Sequence, residues 1–443
     1  MLKNLKKLAT TVATTGTLAT AAFAGELVIT YDDLNPDPKK AFDDVVAAFK
    51  AANPDINVTV NNNDREAHKS AIRNFLSANP PDVTSWYPGN RMGPFVDAGL
   101  FEPIDDLWAA NNLDQDMAAV QPTMTRNGKI WGVPYTYYQW GIYYRKDIYD
   151  KLGLSEPKTW NELLSNCDAL KGVGVTPFTI GTKYLWTAAG VFDYLNLRTN
   201  GYDVHNALTA GEIKYTDERI RATFANWEEM LERCSFIDNH ASMDWQGGVA
   251  AFAKGDAAMY VMGNFSVGAY KDAGLTNDQI DYFQFPEITP GLPMAEEAPA
   301  DAFFIPSGAK NKDNAKKFLA FVAQPEVQTQ WNQTLGQLPP NSKSEVGDDK
   351  FIQEGFAVVS NAAGLAQFYD RDAPAAMASE GMKGFQEFML DPSKLDAILE
   401  RLDAVQAVQS VAGANVNHVP CLDTCTPSLR GAVICPCAQK PQP

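Results

Sequence analysis

Between Leu27 and Trp86 the chain alternates short apolar runs with amphipathic stretches, and that alternation sets the fold class. Leu27-Val28-Ile29-Thr30-Tyr31 reads as a strand. Phe42, Val45, Val46 and Phe49 recur at i, i+3, i+4 and i+7, the stripe of a helix with one buried face. Ile56, Val58 and Val60 alternate as a half-buried strand does. Ile72, Phe75 and Leu76 mark a second helix, Pro80-Pro81 ends it, and Asp82-Val83-Thr84-Ser85-Trp86 is a third strand. Such alternation predicts an α/β fold with a mainly parallel sheet and right-handed crossovers. Ligands of open α/β sheets sit beyond the carboxyl ends of the strands. Those ends carry Asp32 and Asp33, Asp64, and Trp86-Tyr87, which are the polar and aromatic residues a site requires.

At 443 residues the chain is too long for one ordinary core, so two or more lobes are expected. A net charge of −17 argues against a nucleic-acid partner, which would want a basic face. Lys3, Lys6 and Lys7 precede a weakly apolar Leu8–Phe23 run and an Ala22-Phe23-Ala24 cleavage pattern. Residues 1–24 therefore read as a signal peptide, too short and threonine-rich for a membrane span. The mature protein is expected in the periplasm. An exported compartment lets Cys167 and Cys234 pair, and a disulfide is expected there; two separate buried thiols are the alternative.

Further along, Ala257–Met262 reads as a strand leading into Gly263-Asn264-Phe265, and Asp301–Ile305 as one that recrosses between lobes. Residues 314–333 read as helical, and Leu395, Ile398, Leu399 and Leu402 define a last amphipathic helix. From Val408 the pattern fades. Residues 408–443 are expected to form a loosely ordered tail, in which Cys421, Cys425, Cys435 and Cys437 match no usual structural zinc spacing.

No Gly-x-Ser-x-Gly, His-Glu-x-x-His or phosphate-loop motif occurs, and His68, His205, His240 and His418 are not spaced as a metal set. No catalytic residue, metal or cofactor is expected. Aromatic residues carry more information. Six of the ten residues from Tyr135 to Tyr144 are aromatic, and Trp86-Tyr87, Tyr184 and Trp186 form further groups. An aromatic ring covers the flat C–H face of a sugar, while acids, amides and arginines bond its hydroxyl edge. Trp86 near Asn90-Arg91, and Tyr137-Tyr138 beside Gln139, offer that combination.

The run Gly128-Lys129-Ile130-Trp131-Gly132-Val133-Pro134, then Tyr144-Arg145-Lys146-Asp147, then Pro157-Lys158-Thr159-Trp160-Asn161-Glu162-Leu163 resembles a signature of family 1 extracellular solute-binding proteins. These serve ABC carbohydrate transporters, and the maltose-binding-protein-like group is among them. Pro81-Asp82-Val83, Gly99-Leu100, Gly255-Asp256-Ala257-Ala258-Met259, Ile305-Pro306 with Ala309-Lys310-Asn311, and Gly336 to Asn341 resemble further parts of the pattern. The resemblance spans nearly all of 25–406. It departs at Asn90-Arg91, where the family often has Asp-Arg, and at Gly263-Asn264-Phe265, where the ring is kept but the indole is lost.

The resemblance implies a two-lobed periplasmic-binding-protein fold of type II kind, with a ligand cleft between lobes and hinge crossovers. Residues 25–136 and 303–340 would form lobe 1, and 137–302 with 341–407 lobe 2. It implies a substrate-binding component that captures a mono- or oligosaccharide, closes by a hinge motion and delivers it to membrane permease subunits. Trp86, Asn90 and Arg91 would lie on the first lobe, with Arg91 alternatively holding its own helix. Tyr184, Trp186 and Phe265 would lie on the second, and Tyr137, Tyr138 and Gln139 at the hinge. Asp32, Asp64, Asp301, Arg371 and Asn264 are added from strand-end, loop and helix-start positions. A monomer is expected. A secreted glycoside-active enzyme and a binding protein for a non-sugar solute such as a polyamine are the alternatives.

Overall fold

A computed structural model describes residues 25–34 and 36–416 of the chain. The expected signal peptide and the four tail cysteines lie outside the described residues. Two sheets organise two hydrophobic cores. The first has five strands in the order Ile56–Asn62, Gly25–Tyr31, Val83–Trp86, Ala300–Phe304, Gly132–Tyr137. Its first three strands are parallel, as the βαβ alternation requires, and Ala300–Phe304 runs antiparallel to both of its neighbours. The second sheet has four strands in the order Ile280–Phe283, Trp140–Arg145, Ala257–Gly263, Thr176–Phe178.

One buried carboxylate explains why Pro81-Asp82 matters. Asp82 Oδ2 accepts from Val28 N at 2.9 Å, and its Oδ1 accepts from Lys310 N at 3.0 Å and Asn311 N at 2.8 Å. Asp82 thereby ties the chain returning from the second lobe to the first strand. A comparable local cause underlies Thr159-Trp160-Asn161-Glu162. The Thr159 hydroxyl and Glu162 carboxylate form a reciprocal capping box that starts the helix Trp160–Gly172. Trp160 Nε1 then donates to Glu229 at 2.8 Å, fixing that helix on its neighbour Glu218–Arg233.

The chain first passes between the cores at Tyr138-Gln139, between the strands Gly132–Tyr137 and Trp140–Arg145. Tyr137 is buried in the first core, and Tyr143 and Tyr144 in the second. The sequence reading places 137–302 in lobe 2. The structure instead keeps Tyr137 and Ala300–Ala302 with the first lobe, because both belong to strands of its sheet. From Leu338 to Phe368 the chain follows the seam. Phe351 packs in the second core, while Ile352, Val359 and Leu365 pack in the first.

Two helices differ from expectation. Residues 314–333 form two helices, Lys312–Val322 and Pro325–Leu335, because Pro325 cannot continue a helix but suits the first turn of a new one. The last helix, Leu395–Val416, continues past Val408, where the apolar pattern gives no sign of it.

Cys167 and Cys234 form a disulfide with Cα atoms 4.8 Å apart, joining the helix Trp160–Gly172 to the end of Glu218–Arg233. It closes 67 residues of sequence. In the chain-entropy account, a loop of that order contributes about 4 kcal/mol. The C167A/C234A protein is expected to lose roughly that stability in urea denaturation while keeping its ligand affinity at 25 °C. An unchanged midpoint would show that the bridge contributes nothing.

Candidate functional site

Between the cores lies a cavity of about 770 Å³, within the usual size for a small-molecule site. Its two walls differ in chemistry. The first-lobe wall is polar: Asp33, Arg65 and Lys69 beside Tyr31 and Tyr87. The second-lobe wall is aromatic: Trp140, Tyr184, Trp186, Trp245, Phe265 and Phe368. Asp301, Arg371 and Tyr138 lie where the walls meet.

Every cation of the cleft has an acid beside it. Arg371 donates to Asp301 at 2.8 Å, and its guanidinium lies over the rings of Tyr87 and Tyr138, at 4.8 and 5.5 Å from their centroids. Burial disfavours the Arg371 charge, but Asp301, Tyr138 and Tyr87 together outweigh it and push the pKa above the ordinary guanidinium value. Arg65 donates to Asp33 at 2.8 Å and lies 3.9 Å from Asp32. Lys69 approaches Asp370 at 3.7 Å. Burial alone would raise the Asp32 carboxyl, yet Arg65, His68 and the Ser85 hydroxyl at 2.6 Å hold it below the usual carboxylate range.

The aromatic wall is braced by its own ring contacts. Trp186 meets Trp140 edge-on at 6.0 Å, Phe265 meets Trp245 edge-on at 5.7 Å, and Phe368 lies 4.6 Å from Trp140. Leu185 stands between the two lining residues Tyr184 and Trp186 with φ at +70°. That conformation is costly for a leucine and turns the chain sharply into the helix Trp186–Asn200. Beneath this wall, Asp193 Oδ2 accepts from Tyr369 N at 2.9 Å, anchoring the short helix Tyr369–Asp372 that carries Arg371. Burial pushes the Asp193 and Glu297 carboxyls well above the ordinary value, and the negative charge of Asp193 beside Glu297 adds to the rise there.

Gly181 sets the position of Trp245. A Cβ there would lie 1.9 Å from the Asp244 carbonyl oxygen, so only glycine lets the two backbones approach. Gly181→Ala is expected to displace Asp244–Gln246 from the cleft, weaken ligand binding about tenfold and cost about 2 kcal/mol of stability. Titration calorimetry and thermal melts check both effects.

Of the residues singled out from sequence, Tyr138, Tyr184, Trp186, Phe265, Asp301 and Arg371 line this cavity. The others lie elsewhere. Trp86 is buried in the first core against His68 and Phe95, its indole donating to Arg91 O at 3.3 Å. The strand ends at Trp86, and the next residue, Tyr87, packs in the same core while reaching the cleft. Tyr137 is held in the first core by backbone pairing with Leu338. Gln139 is fully buried, donating to Phe351 O at 3.3 Å and pressed against Gly355, where a Cβ would sit 2.1 Å from the amide. Asn264 donates to Gly336 O at 3.1 Å, across to the other lobe. Asp32 lies behind Arg65, and Asp64 accepts from Ala67 N at 3.0 Å at a helix start. Asn90 and Arg91 contact Asp372 and Ala373 of the second lobe.

Sequence reasoning passes over Lys69, Trp245, Gln246 and Phe368. Trp245-Gln246 opens a helix that Asp244 caps through Gly247 N at 2.8 Å. The capping Asp is visible in the sequence, but a single aromatic residue after it is an ordinary core pattern. Among the described residues, no group of three or more His, Cys, Asp or Glu is arranged to hold a metal ion.

Two lobes, three chain passages near a seam, and a deep cleft between unlike walls define a solute binder whose ligand lies between its halves. Residues 35–329 match the family of bacterial extracellular solute-binding proteins, and the chain belongs to that family. An uncharacterized ABC transporter extracellular-binding protein of Pyrococcus horikoshii is 28% identical over 325 residues, 72% of each chain. The multiple sugar-binding protein of Streptococcus mutans is 25% identical over 288 residues, 63% of this chain and 66% of that protein. Among solved structures, the bacterial solute receptor AcbH, described as preferring β-D-galactopyranose exclusively, is 26% identical. It superposes with a TM-score of 0.77 over 89% of this chain and all of its own. A chitin oligosaccharide binding protein, 20% identical, shares the fold with a TM-score of 0.75 over 88% of this chain and 100% of that one.

Proposed function

We propose that the protein captures a neutral sugar in the interlobe cleft, outside the cytoplasmic membrane, and presents it to the permease of an ABC importer. The division of the cleft into a hydrogen-bonding wall and an aromatic wall carries this reading. A pyranose has the matching division: an apolar C–H face for Trp186 and Phe265, and a hydroxyl edge for Arg65, Asp301 and Arg371. Contact with both walls requires both lobes, so the ligand favours the closed form. The names of the Streptococcus mutans relative and of AcbH point the same way.

Pairing of every cleft cation with an acid favours a neutral ligand. A phosphorylated or acidic sugar would have to displace Asp33, Asp301 or Asp370 from its partner. A polyamine would have to compete with Arg65, Lys69 and Arg371 for the same acids. The pairing also speaks against hydrolysis, since a glycosidase needs a protonated carboxyl beside the scissile bond and a second carboxylate opposite it. A thermal-shift screen of neutral mono- and oligosaccharides, sugar phosphates and polyamines tests the proposal. Stabilisation by at least one neutral sugar and by none of the charged compounds is expected. A response to polyamines or phosphates alone would refute it.

A further inference from the structure

Asn90 and Arg91 reach across to the second lobe. Asn90 N and Nδ2 donate to the two oxygens of Asp372, at 2.9 and 3.1 Å, and Arg91 Nη1 donates to Ala373 O at 3.2 Å. Asn90-Arg91 sits on the first lobe, between the core residues Trp86 and Phe95. Asp372 belongs to the second: Thr209 Oγ1 donates to it at 2.7 Å, and its helix packs on Trp186–Asn200 and Ala375–Leu390. The carboxylate is buried, and all of its named donors are neutral. It lies next to Arg371 and beyond Tyr87, both of which line the cleft. Tyr184, which also lines the cleft, is 60% exposed.

We propose that Asn90 and Asp372 form a ligand-independent clasp between the lobes, sealing one end of the cleft and setting how far the empty protein is closed. The apparent affinity of a binding protein is its closed-state affinity scaled by the closed fraction. Asn90 and Asp372 thereby act on affinity without touching the ligand, as positioning residues. This inference rests on the sugar-cleft reading only for its affinity consequence; the conformational part needs no ligand.

The test exchanges the two side chains. N90D faces the Asp372 carboxylate with a second one, whereas N90D/D372N restores an amide–carboxylate pair with donor and acceptor reversed. Small-angle X-ray scattering of the ligand-free proteins at pH 8 is expected to give a larger radius of gyration for N90D than for wild type. The double variant is expected to return to the wild-type value. Whichever sugar binds the wild type is expected to bind N90D about tenfold more weakly and the double variant normally. Should N90D fail to fold, Asn90→Ala deletes the side-chain donor alone and is expected to open the protein less, in the same direction. Equal radii for wild type and the single variants, or no recovery in the exchange, would overturn the clasp. If no sugar binds but the radii behave as stated, the clasp stands and the sugar reading falls.

Discussion

An Arg371→Ala protein is expected to be about 3 kcal/mol less stable than wild type and to bind its ligand roughly 30-fold more weakly. The reason lies in what the deletion leaves behind. Asp301 is buried, and Arg371 is its partner at 2.8 Å, so the variant holds an uncompensated carboxylate under the cleft. Losing one member of such a pair costs more than the pair contributes, because the survivor has already been stripped of water. The ring faces of Tyr87 and Tyr138 also lose the cation between them. Arg371→Lys keeps the charge but not the planar group that lies over both rings, and is expected to fall between the two. Urea denaturation with titration calorimetry separates stability from affinity. Wild-type behaviour of Arg371→Ala in both would contradict this account of the site.

A second large effect is expected on the aromatic wall. Trp186→Ala removes the ring that meets Trp140 edge-on and faces the cleft. Truncating a central aromatic contact costs about 2 kcal/mol of binding, or roughly 30-fold in Kd. Trp186→Phe preserves a flat apolar face and is expected to lose only a few-fold. Tyr184 provides the contrast. It lines the same wall but is largely exposed, so Tyr184→Ala is expected to cost under about 1 kcal/mol. Calorimetry on the three variants tests the ordering. An affinity lost equally at Tyr184 and Trp186 would contradict this ordering and mean that the exposed ring bears the ligand as much as the half-buried one.

Local rules made much of the fold legible. The first three strands and two helices follow from periodicity, and the Thr159–Glu162 capping box is written in four residues. The Asp82 staple could be placed from its strand, though its partners at 310 and 311 come from the far end of the chain. The site was legible only where a residue's side of a strand or its distant partner did not matter. Trp86 and Tyr87 look interchangeable in sequence, and both pack in the first core, yet only Tyr87 also lines the cleft. Asn90 and Arg91 have the right chemistry for a sugar, and their partners lie 282 residues away on the other lobe. Phe368 precedes a four-residue helix, too short to show a period. Gln139 is a polar side chain in an aromatic crossing, but the close approach of Gly355 buries it.

The measurement that bears most directly on the central claim is a crystal structure of the protein with the best neutral sugar from the thermal-shift screen. The account predicts a pyranose between the lobes, its C–H face on Trp186 or Phe265 and its hydroxyls bonded by Arg65, Asp301 or Arg371. A sugar bound outside this cleft, or a cleft occupied by a charged solute in place of the sugar, would contradict it.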